Sequence, residues 1–173
     1  QAKSYNGDDG DNNNRVGQNS CYFENGTITP DAFAVLGTSK PRDDDVDKLF
    51  VQVRRTTPRL DGLINNAGAA RMVPIALTPP KTAEAIMNVN FMGTFRLIHA
   101  AVRLLRKSES PRIVNFSSVA AAWRLDGEAV YAAAKAAVEM LTRIAAKELG
   151  QWGITCNAVG PSPIRTDLIR KVP

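Results

Sequence analysis

The strongest constraint on how this chain folds is the alternation of short apolar runs with longer stretches of helical periodicity. Residues 32–36, Leu63-Ile64, residues 113–116 and residues 154–159 are brief, largely apolar and bounded by turn residues, which predicts strands. Between the first two, residues 43–55 place Val46, Leu49, Phe50 and Val53 at helical spacing. Asp43, Asp44 and Asp45 open that stretch, where negative charge complements the helix dipole. Pro79-Pro80 begins a second helical stretch running to about Lys107, with Ile86, Val89, Leu97, Ile98, Val102 and Leu105 along it. Residues 128–149 form a third, rich in alanine, the best helix former. Apolar strands alternating with helices predict an α/β fold, a doubly wound parallel sheet with helices on both faces. Ligands of such sheets sit beyond the carboxyl ends of the strands. Asn66, Ser118 and Pro161 each follow a predicted strand, so three segments converge on one rim.

Residues 1–30 contain six Asn, four Gly and few apolar side chains, too little apolar surface to offset the entropy of ordering them. They read as an irregular or disordered segment, leaving residues 31–173 as one partial Rossmann-like domain. No apolar run approaches the ~18 residues of a membrane span, and no signal peptide is visible. Two cysteines, Cys21 and Cys156, make no disulfide framework, and Cys156 lies in a strand. A buried free thiol in a reducing, cytoplasmic compartment follows. Asn25-Gly26-Thr27 then reads as a chance glycosylation pattern. The net charge is +5; residues 1–30 are net −2, so the remainder carries +7. The positive residues are scattered and lack an aromatic stacking surface, which argues against nucleic acid and for a phosphate-bearing cofactor or ordinary solvation. A single histidine, His99, with two distant cysteines argues against a metal site.

Four short signatures follow one another through this framework: Asn65-Asn66-Ala67-Gly68, Asn90, Ser117-Ser118, and Tyr131-Ala132-Ala133-Ala134-Lys135. Tyr131 and Lys135 are four apart, on one face of a helix. An ammonium near a phenol favours the phenolate and moves the tyrosine toward useful acid/base chemistry at neutral pH. Ser118 is placed to hydrogen-bond a substrate carbonyl or alcohol. In this order the signatures resemble the central part of a short-chain dehydrogenase/reductase, closest to the 3-oxoacyl-carrier-protein reductase type, from about Asp43 to Pro173.

The resemblance implies an NAD(P)-dependent oxidoreductase, NADP being favoured over NAD, that interconverts a small-molecule carbonyl and a secondary alcohol. Tyr131 would exchange the proton, Lys135 bind the nicotinamide ribose, and Asn90 join a proton-relay water to Lys135. Asn66, Ala67 and Gly68 would pass the adenosine ribose, while Pro161, Ile164 and Thr166 would cover the nicotinamide side. Ser162 stands where the family commonly has glycine, a mild departure in loop shape. Asn88 competes with Asn90, Ser117 with Ser118, and Asn65 is expected to close a turn rather than touch cofactor. His99 is expected on the helix surface or in packing.

Two family features are not found: a glycine-rich phosphate-binding turn in residues 1–30, and a completed C-terminal lid after Asp167. A shortened, non-catalytic homologue acting by association is therefore the alternative. The alanine face of the Tyr131 helix and the apolar arc of residues 91–105 further predict a homodimer or homotetramer. A right-handed crossover through residues 43–55 would set residues 32–36 directly beside Leu63-Ile64. A complete relative would instead hold two strands between them. Direct pairing would close the sheet without a phosphate-binding turn, and nicotinamide binding would then be weak.

Overall fold

The computed structural model describes residues 33–35 and 43–163. The expected irregular segment, Cys21, Asn25, Ile164 and Thr166 lie outside the described residues. Four parallel strands form one sheet in the order β1-β2-β3-β4: β1 Phe33–Val35, β2 Gly62–Asn65, β3 Arg112–Phe116 and β4 Thr155–Val159. β1 pairs directly with β2, Val35 opposite Ile64, which is the sheet order that a short crossover through the first helix predicts.

The helices are α1 Asp43–Thr56, α2 Pro80–Met87, α3 Gly93–Leu105, α4 Ala120–Trp123 and α5 Ala129–Leu149. In α1 the predicted stripe is the buried one: Val46, Phe50 and Val53 face inward, and Arg54 and Arg55 complement the dipole at its last turn. One core cluster joins Phe50 and Val53 of α1, Leu97, Ala101 and Leu105 of α3, and Ala145 and Leu149 of α5 to Leu63, Ile113 and Cys156 of the sheet. The strands alternate in burial. Leu63, Asn65, Ile113, Asn115 and Cys156 are buried, whereas Ile64, Val114 and Phe116 are half-buried. Among the described residues, then, the packed helices lie on one sheet face, although the apolar strands predict cover on both. No helix among them is long and apolar enough to cross a membrane.

The helical stretch expected over 80–107 is one rod with an interruption. Between α2 and α3 the backbone widens into a π turn, Asn88–Met92. The looser turn is held by side chains: Asn90 Nδ2 donates to the Ile86 carbonyl at 2.9 Å, and Thr94 Oγ1 donates to the Asn90 carbonyl at 2.8 Å. Such π turns occur often at functional sites.

A buried polar chain ties the sheet to α5. Asn65 Nδ2 donates to Asn115 Oδ1 at 2.7 Å, Asn115 Nδ2 to Thr142 Oγ1 at 2.8 Å, and Thr142 Oγ1 to the Val138 carbonyl at 2.7 Å. Asn65 is thus a structural residue, as the sequence predicts, but through its side chain rather than through a turn. Replacing Asn115 with alanine strands the Asn65 amide in a dry interior. We expect Asn115→Ala to cost about 2–4 kcal/mol, read as a lower urea midpoint at unchanged slope. A loss below about 1 kcal/mol would mean that water enters and replaces the bonds.

Candidate active site

Each motif is delivered to the carboxyl ends of the strands by the element that carries it. β2 ends at Asn65, and the chain turns through Asn66, Ala67 and Gly68 toward α5. A Cβ at Gly68 would lie 3.1 Å from Asn90 Oδ1, a tight contact, and 3.5 Å from Lys135 Nζ, an ordinary one, so this backbone runs close beside both side chains. Asn90 is completely buried, while Asn88 is exposed. Its amide brackets the backbone after Gly68: Nδ2 donates to the Ala69 carbonyl at 2.7 Å, and Oδ1 accepts from the Ala69 amide at 3.3 Å.

The end of β3 supplies the second side of the site. Ser117 donates to Glu139 at 2.6 Å and is buried against α5, so it holds helix to strand. Ser118 is half-buried, accepts from the Ala120 amide at 3.2 Å and lies within hydrogen-bonding reach of Tyr131. The segment after β4 lies alongside: the Ser117 amide donates to the Val159 carbonyl at 2.8 Å, and the Val119 amide to the Pro161 carbonyl at 3.2 Å. The structure therefore brings Gly68, Asn90, Ser118, Tyr131, Lys135 and Pro161 to one end of the sheet. Asn66 is exposed there and Ala67 half-buried. His99 is exposed and stacks on Phe95 at 6.2 Å between ring centroids, well away from this cluster in the fold.

Lys135 is buried on α5 and donates from Nζ to the Phe116 carbonyl at 2.7 Å, with Nζ 5.7 Å from the centroid of the Tyr131 ring. Burial lowers its pKa to about 8. The Tyr131 phenol departs from expectation. Burial raises its pKa, the hydrogen bond from Ser118 pulls it back, and the charge of Glu128 raises it further. The Lys135 amine is directed at the Phe116 carbonyl, and the upward shift of the phenol is set by burial. The phenol therefore stays protonated at neutral pH.

A family model described as short chain dehydrogenase matches residues 19–173. The chain belongs to the short-chain dehydrogenase family. The match begins earlier than the motifs indicate, taking in residues before Asp43. A 3-oxoacyl-[acyl-carrier-protein] reductase of Synechocystis sp. is 38% identical over 125 residues, 72% of this chain and 51% of that protein. The corresponding enzyme of Thermotoga maritima is 35% identical over 130 residues, 75% of this chain and 53% of its own length. A gluconate 5-dehydrogenase from Burkholderia cenocepacia, solved with NADP and tartrate, superimposes with a TM-score of 0.71 at 30% identity, covering 75% of this chain and 51% of that one. The chain spans about half the length of the relatives it matches.

Within this oxidoreductase family member, the motifs missed one participant and one neighbour. The Phe116 carbonyl, which holds Lys135, is a main-chain group with no signature beyond its place before Ser117-Ser118. Glu128 has none either, since its effect on Tyr131 depends on burial. A separate cleft of about 330 Å³, lined by Ser117, Glu139, Thr142, Cys156 and Gly160 among others, lies between α5 and β4 and includes neither Ser118 nor Tyr131.

The depressed Lys135 pKa has a signed consequence for stability. Below pH 8 the amine is charged in folded and unfolded chains alike, and the fold bears the cost of burying it. Between pH 8 and 10.5 the folded chain releases this proton while the unfolded chain keeps it, so stability rises with pH. Cys156, pushed by burial to about 11, opposes this above pH 9. Subtracting Lys135→Met isolates the lysine. The difference, wild type minus variant, should rise by up to about 3 kcal/mol across that window in urea titrations. A flat difference would show that Lys135 is not desolvated.

Proposed function

We propose that this chain is the catalytic portion of an NAD(P)-dependent carbonyl reductase or alcohol dehydrogenase, with NADP the favoured cofactor and Tyr131 the proton donor. The observation that carries the proposal is the meeting of Ser118, Tyr131 and Lys135 beside Gly68, whose missing side chain leaves a cradle against Lys135 and Asn90. That cradle fits the ribose side of a nicotinamide dinucleotide. Asn66, Ala67, Gly68 and Lys135 would hold the cofactor from one side and Pro161, Ile164 and Thr166 from the other. The cofactor, when bound, supplies or accepts the hydride, which no side chain can do.

The protein's own residues handle position and the proton. Ser118 donates a hydrogen bond to the substrate oxygen and holds it against Tyr131. In reduction, the phenolic proton passes to that oxygen as its charge develops, leaving a phenolate; in oxidation the proton returns. The raised resting pKa of Tyr131 suits the first direction, because it keeps the donor protonated at neutral pH. Asn90, fixed to Ala69 and set in the π turn, orders the backbone against which Lys135 lies and would join the lysine to a relay water.

Tyr131→Phe removes only the hydroxyl. We expect turnover, followed as loss of reduced nicotinamide with a panel of simple ketones, to fall by about 10²–10⁴-fold with the circular dichroism spectrum unchanged. Undiminished turnover would exclude Tyr131 as the proton donor. Cofactor binding by a chain with β1 set directly against β2 should be weak, so the assay requires high nicotinamide concentrations.

We further propose that copies of the chain associate as a dimer or tetramer. The outward side of α5 exposes Ala133, Ala136, Met140 and Ile144 at helical spacing, small residues beside large apolar ones. Light scattering at micromolar concentration should show a multiple of 18.7 kDa, and Ile144→Glu should shift it toward that mass. A monomer in the unsubstituted chain would contradict the proposal.

A further inference from the structure

Two loops beside the site carry large apolar side chains that the fold leaves in water. The first runs from Ala69, held by Asn90, into the apolar run Met72-Val73-Pro74-Ile75-Ala76-Leu77. Its 3₁₀ turn, Ile75–Leu77, is exposed throughout, Ile75 at 76% and Leu77 at 70%. Thr78 closes this turn by sharing its hydroxyl proton between the Val73 carbonyl at 3.1 Å and the Pro74 carbonyl at 3.0 Å. The second loop joins Ser118 to Tyr131 through α4, whose last residue, Trp123, is 58% exposed. Leu125 is exposed just after it, beyond a left-handed turn at Arg124, φ 56°. The two loops meet. The Val73 amide donates to the Gly127 carbonyl at 2.8 Å, and a Cβ on Gly127 would lie 3.4 Å from the Val73 nitrogen. Single exposed apolar residues are ordinary, but here five stand on two loops joined by a backbone bond.

We propose that these loops form a binding surface for the apolar chain of an alkyl or aryl ketone substrate. The inference rests on Ser118 and Tyr131 meeting the carbonyl oxygen, and it names what is attached to that carbonyl. Position carries the argument. The loop with Trp123 and Leu125 begins at one of those two residues and ends at the other, and α4 packs on α5. The loop with Met72 and Ile75 leaves Gly68, which runs beside Lys135, and is bonded to the second loop four residues before Tyr131. A ketone held at Ser118 and Tyr131 lies between the roots of both loops, and a substituent long enough to leave the site runs along them. Each methylene laid on this surface is withdrawn from water, which favours long chains over short ones. A second copy of the chain would have a different face available, at Met140 and Ile144, two or more turns further along α5. Short hydroxylated ketones gain nothing from the surface.

The series 2-butanone, 2-hexanone and 2-octanone varies only the length of the chain. With NADPH, the full protein should gain about fourfold in kcat/KM for each added methylene. Trp123→Ser and Ile75→Ser change exposed side chains, so the circular dichroism spectrum should not move. Each should lower the gain to about twofold or less per methylene. A flat series in the unsubstituted chain overturns the proposal, and so does a gain that both variants keep. Light scattering separates the other occupant. A lower mass in Ile75→Ser than in the unsubstituted chain would assign the surface to self-association and overturn the proposal. Fluorescence keeps the test independent of hydride transfer, because Trp152→Phe leaves Trp123 as the sole tryptophan. With NADP present, 2-octanone should shift its emission to shorter wavelength and 2-butanone should not. Unchanged emission with 2-octanone refutes the surface. A shift without turnover supports it and counts only against Tyr131 as proton donor.

Discussion

The bond from Lys135 Nζ to the Phe116 carbonyl is the interaction on which the rest of the site depends. It crosses from the long C-terminal helix to the end of the central strand and fixes their relative rotation. Tyr131, one turn earlier on that helix, is thereby aimed at Ser118, two residues past the same carbonyl. The bond also compensates a buried ammonium that would otherwise be intolerable. Ser117 reinforces the joint from the strand side through Glu139, and the Asn65–Asn115–Thr142 chain repeats the arrangement one layer deeper. Helix and sheet are thus joined by polar contacts near the chemistry and by apolar contacts away from it, where Phe50, Leu105 and Ile113 fill the core.

The third support is Asn90. A side chain that satisfies two backbone groups of Ala69 and one of Ile86 can do so only from within the fold, and it is completely buried. The π turn around it follows from the same demand: the helix widens where its ladder is partly replaced by side-chain bonds. Gly68 completes the geometry, since a Cβ there would crowd the Asn90 amide and touch Lys135.

The order of strands and helices was legible because apolar periodicity follows burial directly. Val46, Phe50 and Val53 in α1 show this, as does Asn90, a polar residue in a helix interior that needed a reason to be there. The direct pairing of β1 with β2 could be reasoned from loop length and crossover handedness. Three features were not legible, each set by tertiary surroundings. The π turn depends on the partners Asn90 finds across the fold. The Tyr131 pKa moves upward because burial outweighs the hydrogen bond from Ser118, and neither influence is written in a Tyr-x-x-x-Lys spacing. Glu128 looks like any acidic residue at a helix start, and the burial of its Oε2 atom depends on the fold around it.

The central claim is that this constellation passes hydride between a nicotinamide and a carbonyl carbon while Tyr131 moves the proton. It is tested most directly by isotope transfer. Reduction of a simple ketone with NADPH deuterated at one of the two nicotinamide C4 positions should place deuterium on the carbinol carbon for one labelled face and leave it absent for the other. Mass spectrometry of the alcohol reads this without any assumption about rate. Alcohol that carries no deuterium from either face, or no alcohol at all at saturating cofactor, would contradict the account.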